Sequence, residues 1–462
     1  MERERLESLE KLRELGERPF LTDAPGLPCP VEGGYDEGRN VELAGRILTI
    51  RRMGKMCFAT IMFCETADVE TPSRIQAVFQ EGFTKDGWRE TVKHVHIGDI
   101  LYFSGVYKST VSGEPSVFVS EFTVLTKALV TVPFGQEKDG EAFNQVQDAE
   151  KLMRHRHLAM LTDDSLRSRL VARSRMLSRV RQSLESASFI EVQTPVLLQI
   201  PGGAEAKTFD THYNAYDAEV KLRISLEIQL KKLLCGGFMR VFEIGTVFRN
   251  EGVSAKHNPE FTLLEYYSAY DNFAKGLSMF KRIAWGASQA FDREIQPDAW
   301  LTMTMRDAIM NYAGQDIDTW DFDDPVSIEK LEDCMVSFVE PNLHEPTLLT
   351  HHPVCISPLA RSVDGKYAER FEAYIDGTEI ANGFCEQNDP QAQLAAFEAQ
   401  NAAFGNPIDH DYIYALSCGM PPAFGVGIGL DRLAMVLSGT DHIRQVSWFP
   451  FVKPIKEQNI NV

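Results

Sequence analysis

The chain has 462 residues, with 47 Lys+Arg against 66 Asp+Glu and a net charge of −19. A hydrophobic share of 44% and a charged share of 24% exclude a disordered, collagen-like or small disulfide-stapled chain, and the length bounds the count at about two to four domains. The acidic excess argues against a protein that grips nucleic acid with its whole surface, while leaving room for local basic patches.

Residues 2–17 read as a helix with Leu6, Leu9, Leu12 and Leu15 at spacing three and mixed charges between, the pattern of a solvated helix face. The opening segment has no apolar core of a secretory signal, and no stretch approaches the roughly 20 apolar residues that span a bilayer. The eight cysteines, Cys29, Cys57, Cys64, Cys235, Cys334, Cys355, Cys385 and Cys418, form no C-x-x-C pair. Reduced thiols and a cytoplasmic location are the expectation. Residues 19–38 are rich in Pro and Gly and read as irregular. From 40 to 126, about five short apolar runs with turn signals predict a small closed barrel. Arg46, Arg51, Arg52, Lys55 and Phe58 cluster near one of its hairpins. They suit single-stranded nucleic acid, with cations for phosphates and a ring for a base, or equally a solvated hairpin with a core Phe. Residues 129–148 read as a linker, and 165–187 as a helix with Leu166, Leu170, Leu177, Val180 and Leu184 on one face. Strands and helices mix thereafter, with no internal repeat.

Four constellations stand out in the second part. In residues 188–206 a strand is interrupted by Pro195, which belongs at a sheet edge or a bulge because it has no N–H. Gly202-Gly203 then lets backbone approach a ligand, unless it is a plain turn. In residues 236–270 two strand-like runs flank a polar loop. Phe261, Leu263, Glu265, Tyr267 and Ala269 share one face, and a core face would not carry Glu265. Arg249, Lys256 and His257 suit anionic oxygens, and Phe261 suits a flat ring. In residues 370–389 Asp376-Gly377 is a two-residue hairpin turn. Outward pairing sets Tyr374 against Glu379 and Glu372 against Ala381, so two carboxylates lie diagonally on one face, where a divalent cation such as Mg²⁺ would relieve their repulsion. A bulge near residues 381–383 is needed if Asn382, Phe384 and Glu386 serve the same site. A solvated acidic hairpin is the alternative. In residues 419–439 a glycine-rich strand runs into a helix carrying Asp431 and Arg432, which suits a nucleotide or a tightly packed strand and helix.

These residues resemble the class II aminoacyl-tRNA synthetases: motif 1 at 189–195, motif 2 from FRNEG to HNPEFT, the acidic metal hairpin, and motif 3 in GIGLDRL. Within the class, FRNEGVSAKHNPEFTLLEYYSAY, ISPLAR, RFEAYIDGTEIANGF and GMPP are similar to the wording of the lysyl-tRNA synthetases. The resemblance implies an α+β chain. A five-stranded OB-fold barrel for the anticodon, with arm and linker, would occupy residues 1–148. A catalytic domain with an antiparallel sheet flanked by helices would occupy 149–462, with a helical insertion at 271–345. It implies that lysine is activated with ATP to lysyl-adenylate and passed to the terminal ribose of tRNA(Lys). Arg249 would be the catalytic residue, binding ATP together with Glu251, His257, Phe261 and Arg432. Gly203, Glu227, Glu265, Tyr267, Asn382, Phe384 and Glu386 would hold lysine, and Glu372 and Glu379 Mg²⁺. Arg51, Phe58, Gln76 and Glu121 would meet the anticodon. A homodimer with no membrane association completes the picture.

The chain departs from the family pattern at Ser225-Leu226, where Ala-Pro is usual, at Gln387 for Leu, and at Gln445 for Asp. The barrel hairpin at 63–73 is long and the N-terminal arm short. Two other readings are a paralogue that activates an amino acid for another acceptor and a non-catalytic RNA-binding relic.

Overall fold

The computed structural model describes residues 1–21, 36–63, 73–138, 141–145, 148–322, 324–362, 364–405 and 407–454. The long hairpin at 63–73, Cys29 and Cys64 fall largely or wholly outside these. The chain divides into two compact units, residues 1–168 with the tail from Val452, and residues 169–451.

In the first unit helix α1 (Arg3–Glu14) precedes five strands: β1 (Asn40–Met53), β2 (Met56–Phe63), β3 (Ser73–Gln80), β4 (Ile100–Ser109) and β5 (Pro115–Thr126). They close into a barrel in the order β1-β2-β3-β5-β4, with β3 and β5 parallel. Alternation makes the core: Cys57, Ala59, Ile61 and Phe63 of β2 point inward and meet Phe79, Phe103 and Phe122. Helix α2 (Trp88–Lys93) adds Trp88 and Val92 to that core.

Helix α1 buries Arg5, Ser8, Leu9 and Leu12, whereas Leu6 and Leu15 are exposed. The expected stripe fails for a geometric reason: a spacing of three drifts by about 60° per step around a helix of 3.6 residues per turn. Arg5 is held by the Ile97 and Ala128 carbonyls at 3.0 and 3.1 Å. The expected linker contains a two-stranded antiparallel ribbon, β6 (Phe134–Lys138) and β7 (Glu141–Gln145). Short helices α3 (Ala149–Arg154) and α4 (Arg156–Thr162) lead into α5 (Asp164–Glu185).

The second unit is built on an eight-stranded sheet. Its strands, in chain order, are β8 (Ile190–Glu191), β12 (Arg240–Phe248), β13 (Glu260–Ala269), β14 (Leu301–Thr304), β15 (Thr347–Pro353), β16 (Tyr367–Ile375), β17 (Thr378–Cys385) and β18 (Ala423–Gly429). The spatial order is β14-β15-β16-β17-β18-β13-β12-β8, antiparallel except at the two edge pairs. A small sheet, β9 (Leu197–Leu198), β10 (Asp210–Tyr213) and β11 (Ala218–Leu222), stands beside it.

Period-two alternation divides the large sheet into a core face and a site face. On the core face Leu264, Tyr266, Phe371, Val426 and Ile428 pack against α5, α7 (Phe273–Ser288) and α12 (Leu430–Leu437). On the other, Val241, Leu263 and Tyr267 meet α6 (Glu227–Cys235) and α11 (His410–Ser417). The segment 271–345 is helical, with α7, α8 (Met305–Ala313) and α9 (Pro325–Cys334), but it also supplies β14 to the sheet edge. Helix α10 (Pro390–Phe404) follows the acidic hairpin.

Candidate active site

The Pro195 segment lies at the sheet edge, as expected, but its strand is only two residues long and runs parallel to β12. Pairing stops because Thr194 turns to a side chain: its N–H and Oγ1 donate to Glu243 Oε2 at 2.9 and 2.7 Å. Gly203 has φ +84°, and a Cβ there would lie 2.7 Å from Ser225 Oγ and 2.8 Å from the Glu227 Cβ. Its glycine thus answers to both conformation and space.

β12 and β13 pair without a break from Arg240↔Ser268 to Phe248↔Glu260. That register turns Phe261, Leu263, Glu265 and Tyr267 toward a cavity of about 350 Å³. Arg249, at the end of β12, enters the same cavity, with its guanidinium 5.2 Å over the Phe261 ring and Nε donating to Ile224 O at 3.4 Å. The sequence reading did not foresee that stack.

Asp376 and Gly377 both have positive φ, +48° and +63°, as a two-residue hairpin turn requires. Tyr374 pairs with Glu379 as expected. The register then shifts between Tyr374 and Ala373, and Glu372 faces Asn382, not Ala381. The bulge is therefore at Ile380, just before the expected stretch. The extra residue returns Asn382 and Phe384 to the side of Glu379 and Glu372. These four residues line a second cavity of about 1100 Å³, which shares Gly203, Glu227, Glu379, Asn382 and Phe384 with the first.

Of the residues expected to hold ATP, lysine or metal, all but Glu372 and Glu386 line the smaller cavity. Glu386 is fully buried and paired with Lys231, a residue the sequence reading missed. An i,i+4 spacing from Glu227 was the available signal. Ser225 and Leu226, noted only as departures, hold the pocket carboxylate: the Ser225 hydroxyl and Leu226 N–H donate to Glu265 Oε1 at 2.7 and 3.0 Å. The Tyr267 hydroxyl donates to Oε2 at 2.9 Å. A proline at 226 would have no N–H to give. Burial and neighbouring Glu227 push the Glu265 carboxyl up to about 7.

Arg432 donates to Glu379 Oε2 at 3.2 Å and to His257 Nε2 at 2.8 Å. Burial and then Arg432 lower the His257 imidazole, favouring its neutral form. Asp431 anchors this end of α12, accepting from Arg173 at 2.6 and 3.0 Å and from Thr262 N–H at 2.8 Å. Glu251 lies exposed at the rim. Gln445 accepts from Arg169 at 3.2 Å, and Gln387 accepts from Asp389 N–H at 3.0 Å.

Glu372 and Glu379 differ. Burial works against ionisation of Glu372, but His352, Arg370 and the Tyr374 hydroxyl overcome it and hold the carboxyl well below the usual range. Burial and then Glu372 push Glu379 up. The Glu379 side chain is 38% exposed, and an accessible carboxylate raised by its neighbour is a place where a divalent cation fits, since the cation relieves the repulsion.

On the barrel, Arg51 is cross-strand from Phe58, and Gln76 is opposite Thr60, two residues along from Phe58. Arg46 is spent on the Gly98 carbonyl and Arg52 on the Val92 and Val95 carbonyls, while Lys55 stays exposed beside Glu81. The Arg51 side chain makes no ion pair or hydrogen bond with the described residues. Glu121 is not part of this cluster. It lies opposite Ser104, five residues beyond Ser116, the β5 partner of Gln76, and past a register shift.

Comparison with known proteins agrees with this architecture. Residues 148–453 match the tRNA synthetases class II (D, K and N), and residues 41–125 match the OB-fold nucleic acid binding domain. A lysine–tRNA ligase of Dehalococcoides mccartyi is 36% identical over 97% of both chains. One from Moorella thermoacetica is 36% identical over 98% of both. One from Helicobacter pylori is 35% identical over 98% of this chain and 97% of its own. With an anticodon-type barrel, a class II sheet and end-to-end similarity to these relatives, the chain belongs to the class II tRNA synthetases, in the lysine–tRNA ligase family.

Proposed function

We propose that this protein activates lysine with ATP and transfers it to tRNA(Lys). The observation that carries the reading is the cavity in which the Arg249 guanidinium and the buried Glu265 carboxylate both lie. An amino acid with a carboxylate at one end and a cation at the other meets complementary charge at each. Arg249 orients the lysine carboxylate against the α-phosphorus of ATP and neutralises charge as pyrophosphate leaves. The ribose hydroxyl of tRNA then takes the lysyl group from the adenylate. Catalysis comes from positioning and electrostatics.

In this reading Glu251, His257, Phe261 and Arg432 bind ATP. Gly203 and Glu227 hold the α-ammonium, and Glu265, Tyr267, Asn382, Phe384 and Glu386 surround the ε-ammonium. Glu372 and Glu379 would hold Mg²⁺, which supplies charge neutralisation at the phosphates. Arg51, Phe58 and Gln76 contact the anticodon through stacking and phosphate or base-edge contacts. Residues 1–148 serve as arm, anticodon module and linker, and 149–462 as the catalytic part. The exposed Ile190 at the edge of the large sheet, with exposed Val196 and Leu197 just after it in the chain, supports a homodimer. No helix among the described residues is long and apolar enough to cross a membrane, and a cytoplasmic enzyme fits that. Amino-acid-dependent ATP–pyrophosphate exchange with all twenty amino acids tests the proposal. Exchange with lysine alone is expected. Exchange with another amino acid would reassign the substrate, and none at all would favour an RNA-binding role.

A further inference from the structure

Lys231 is an unusual residue to find beside a site for a cationic substrate. It lies on α6 with no accessible side-chain surface, its ammonium 2.5 Å from Glu227 Oε1 and paired also with Glu386 Oε2. It stands 5.3 Å from the centroid of the Phe384 ring. Glu386 comes close because Gly425 has no side chain: a Cβ there would fall on Glu386 Oε1 and on the Tyr267 ring. Glu386 Oε1 is buried and accepts no hydrogen bond from the described residues. One oxygen of this carboxylate is thus committed to Lys231 and the other is left unpaired beside Tyr267.

Three carboxylates, Glu227, Glu265 and Glu386, share this buried region with one ammonium. We propose that Lys231 is a specificity-determining counter-ion: it leaves the three-carboxylate pocket with an excess of negative charge, matched to a substrate with two ammonium groups, and opposes proton uptake by Glu386 so that this carboxylate can receive one of them. The inference rests on the lysine reading above. Its physical basis is that burial holds the Glu386 carboxyl well above the usual range while Lys231 pulls it down; without that cation it takes up a proton more readily, and a neutral acid attracts an ammonium poorly. The charged and titratable groups facing Glu386 are Lys231 and Glu227 from α6, Glu265 and Tyr267 from β13, and Tyr412 from α11. Lys231 is the only cation among them. Burial would strip the proton from Lys231, but Glu227 and Glu386 reverse that and hold it well above the usual amine range. Unlike Lys231, Arg249 itself lines the cavity, and the lysine reading assigns it the substrate carboxylate, so the two cations have separate tasks.

Lys231→Met keeps the stem volume and removes the charge. The test is the KM for lysine in ATP–pyrophosphate exchange, measured from about pH 6 to pH 9. In the variant, Glu386 must release a proton before lysine binds, so KM climbs by up to about tenfold per unit of falling pH, more steeply than in the unmodified protein. The kcat changes less. Adding Glu386→Gln to Lys231→Met removes the titrating group and abolishes the extra steepness, leaving KM raised at every pH. A Lys231→Met profile parallel to that of the unmodified protein, or an effect on kcat and melting alone, overturns the proposal. If Lys231→Met does not fold, the double variant, which removes both buried charges together, still decides: a KM for lysine equal to that of the unmodified protein overturns the role of the pair. Lysine exchange by the unmodified protein is measured first. Its absence overturns both readings, whereas its presence with an unshifted variant profile overturns only the role of Lys231.

Discussion

Glu265→Gln should make the protein more stable and a worse lysine binder. Glu265 is 4% exposed, and burial and Glu227 hold its carboxyl at about 7 instead of the ordinary 4.5. The folded chain therefore keeps this proton to about pH 7, while an unfolded chain releases it near pH 4.5. Between those values the native state binds more protons, so stability falls as pH rises through the window. The full cost, present above pH 7, is about 3 kcal/mol at 1.36 kcal/mol per pH unit. Glutamine removes the charge and keeps the contacts: its carbonyl accepts from Ser225 and Leu226, and its amide donates to the Tyr267 oxygen. Thermal melts of the catalytic unit should rise by a few degrees at pH 8 and stay level near pH 4.5. The KM for lysine should rise roughly 30-fold or more, as for loss of a buried charge pair. A gain in melting temperature equally large at pH 4.5 and pH 8, or no gain at pH 8, would refute the electrostatic account.

Three further outcomes can be checked. Gly203→Ala forces a side chain into positive φ and against Ser225 and Glu227; it should cost about 2 kcal/mol or more in denaturant unfolding and weaken lysine binding. Asp431→Ala strands the buried Arg173 guanidinium and should cost about 3 kcal/mol, read by the same melts, with a raised KM for ATP as the Arg432 turn loosens. Phe58→Ala should raise the KM for tRNA by roughly 5- to 100-fold, the loss of one base stack, and leave pyrophosphate exchange untouched. A fall in exchange would mean that the barrel is not a separate recognition module.

The contrast between the two hairpins shows where sequence pattern suffices. For β12 and β13 the pairing is unbroken, so parity alone assigned Glu265 and Tyr267 to the site face. For β16 and β17 parity alone put Asn382 and Phe384 on the wrong face, and only the demand that they share one site called for a bulge. The bulge falls at Ile380 because that position packs into the core, a contact no local pattern reveals. In the barrel, a cluster of cations was legible, but which of them is available was not. Arg46 and Arg52 point to carbonyls of α2 and the loop that follows it, which are distant in sequence.

What the sequence determined by itself was the two-part architecture, the family, and the residue types at the site, because alternation, turn chemistry and short motifs are local and survive without coordinates. The tertiary structure decided the state of the charges. Glu265 is raised because α6 brings Glu227 beside it, Glu386 is occupied because the same helix brings Lys231, and Glu379 is raised because the bulged hairpin sets it near Glu372. Desolvation and Coulomb energy depend on what is near in space. The acidic excess of the chain therefore acquires meaning only here, where several of its carboxylates are buried, paired and placed to receive a cation.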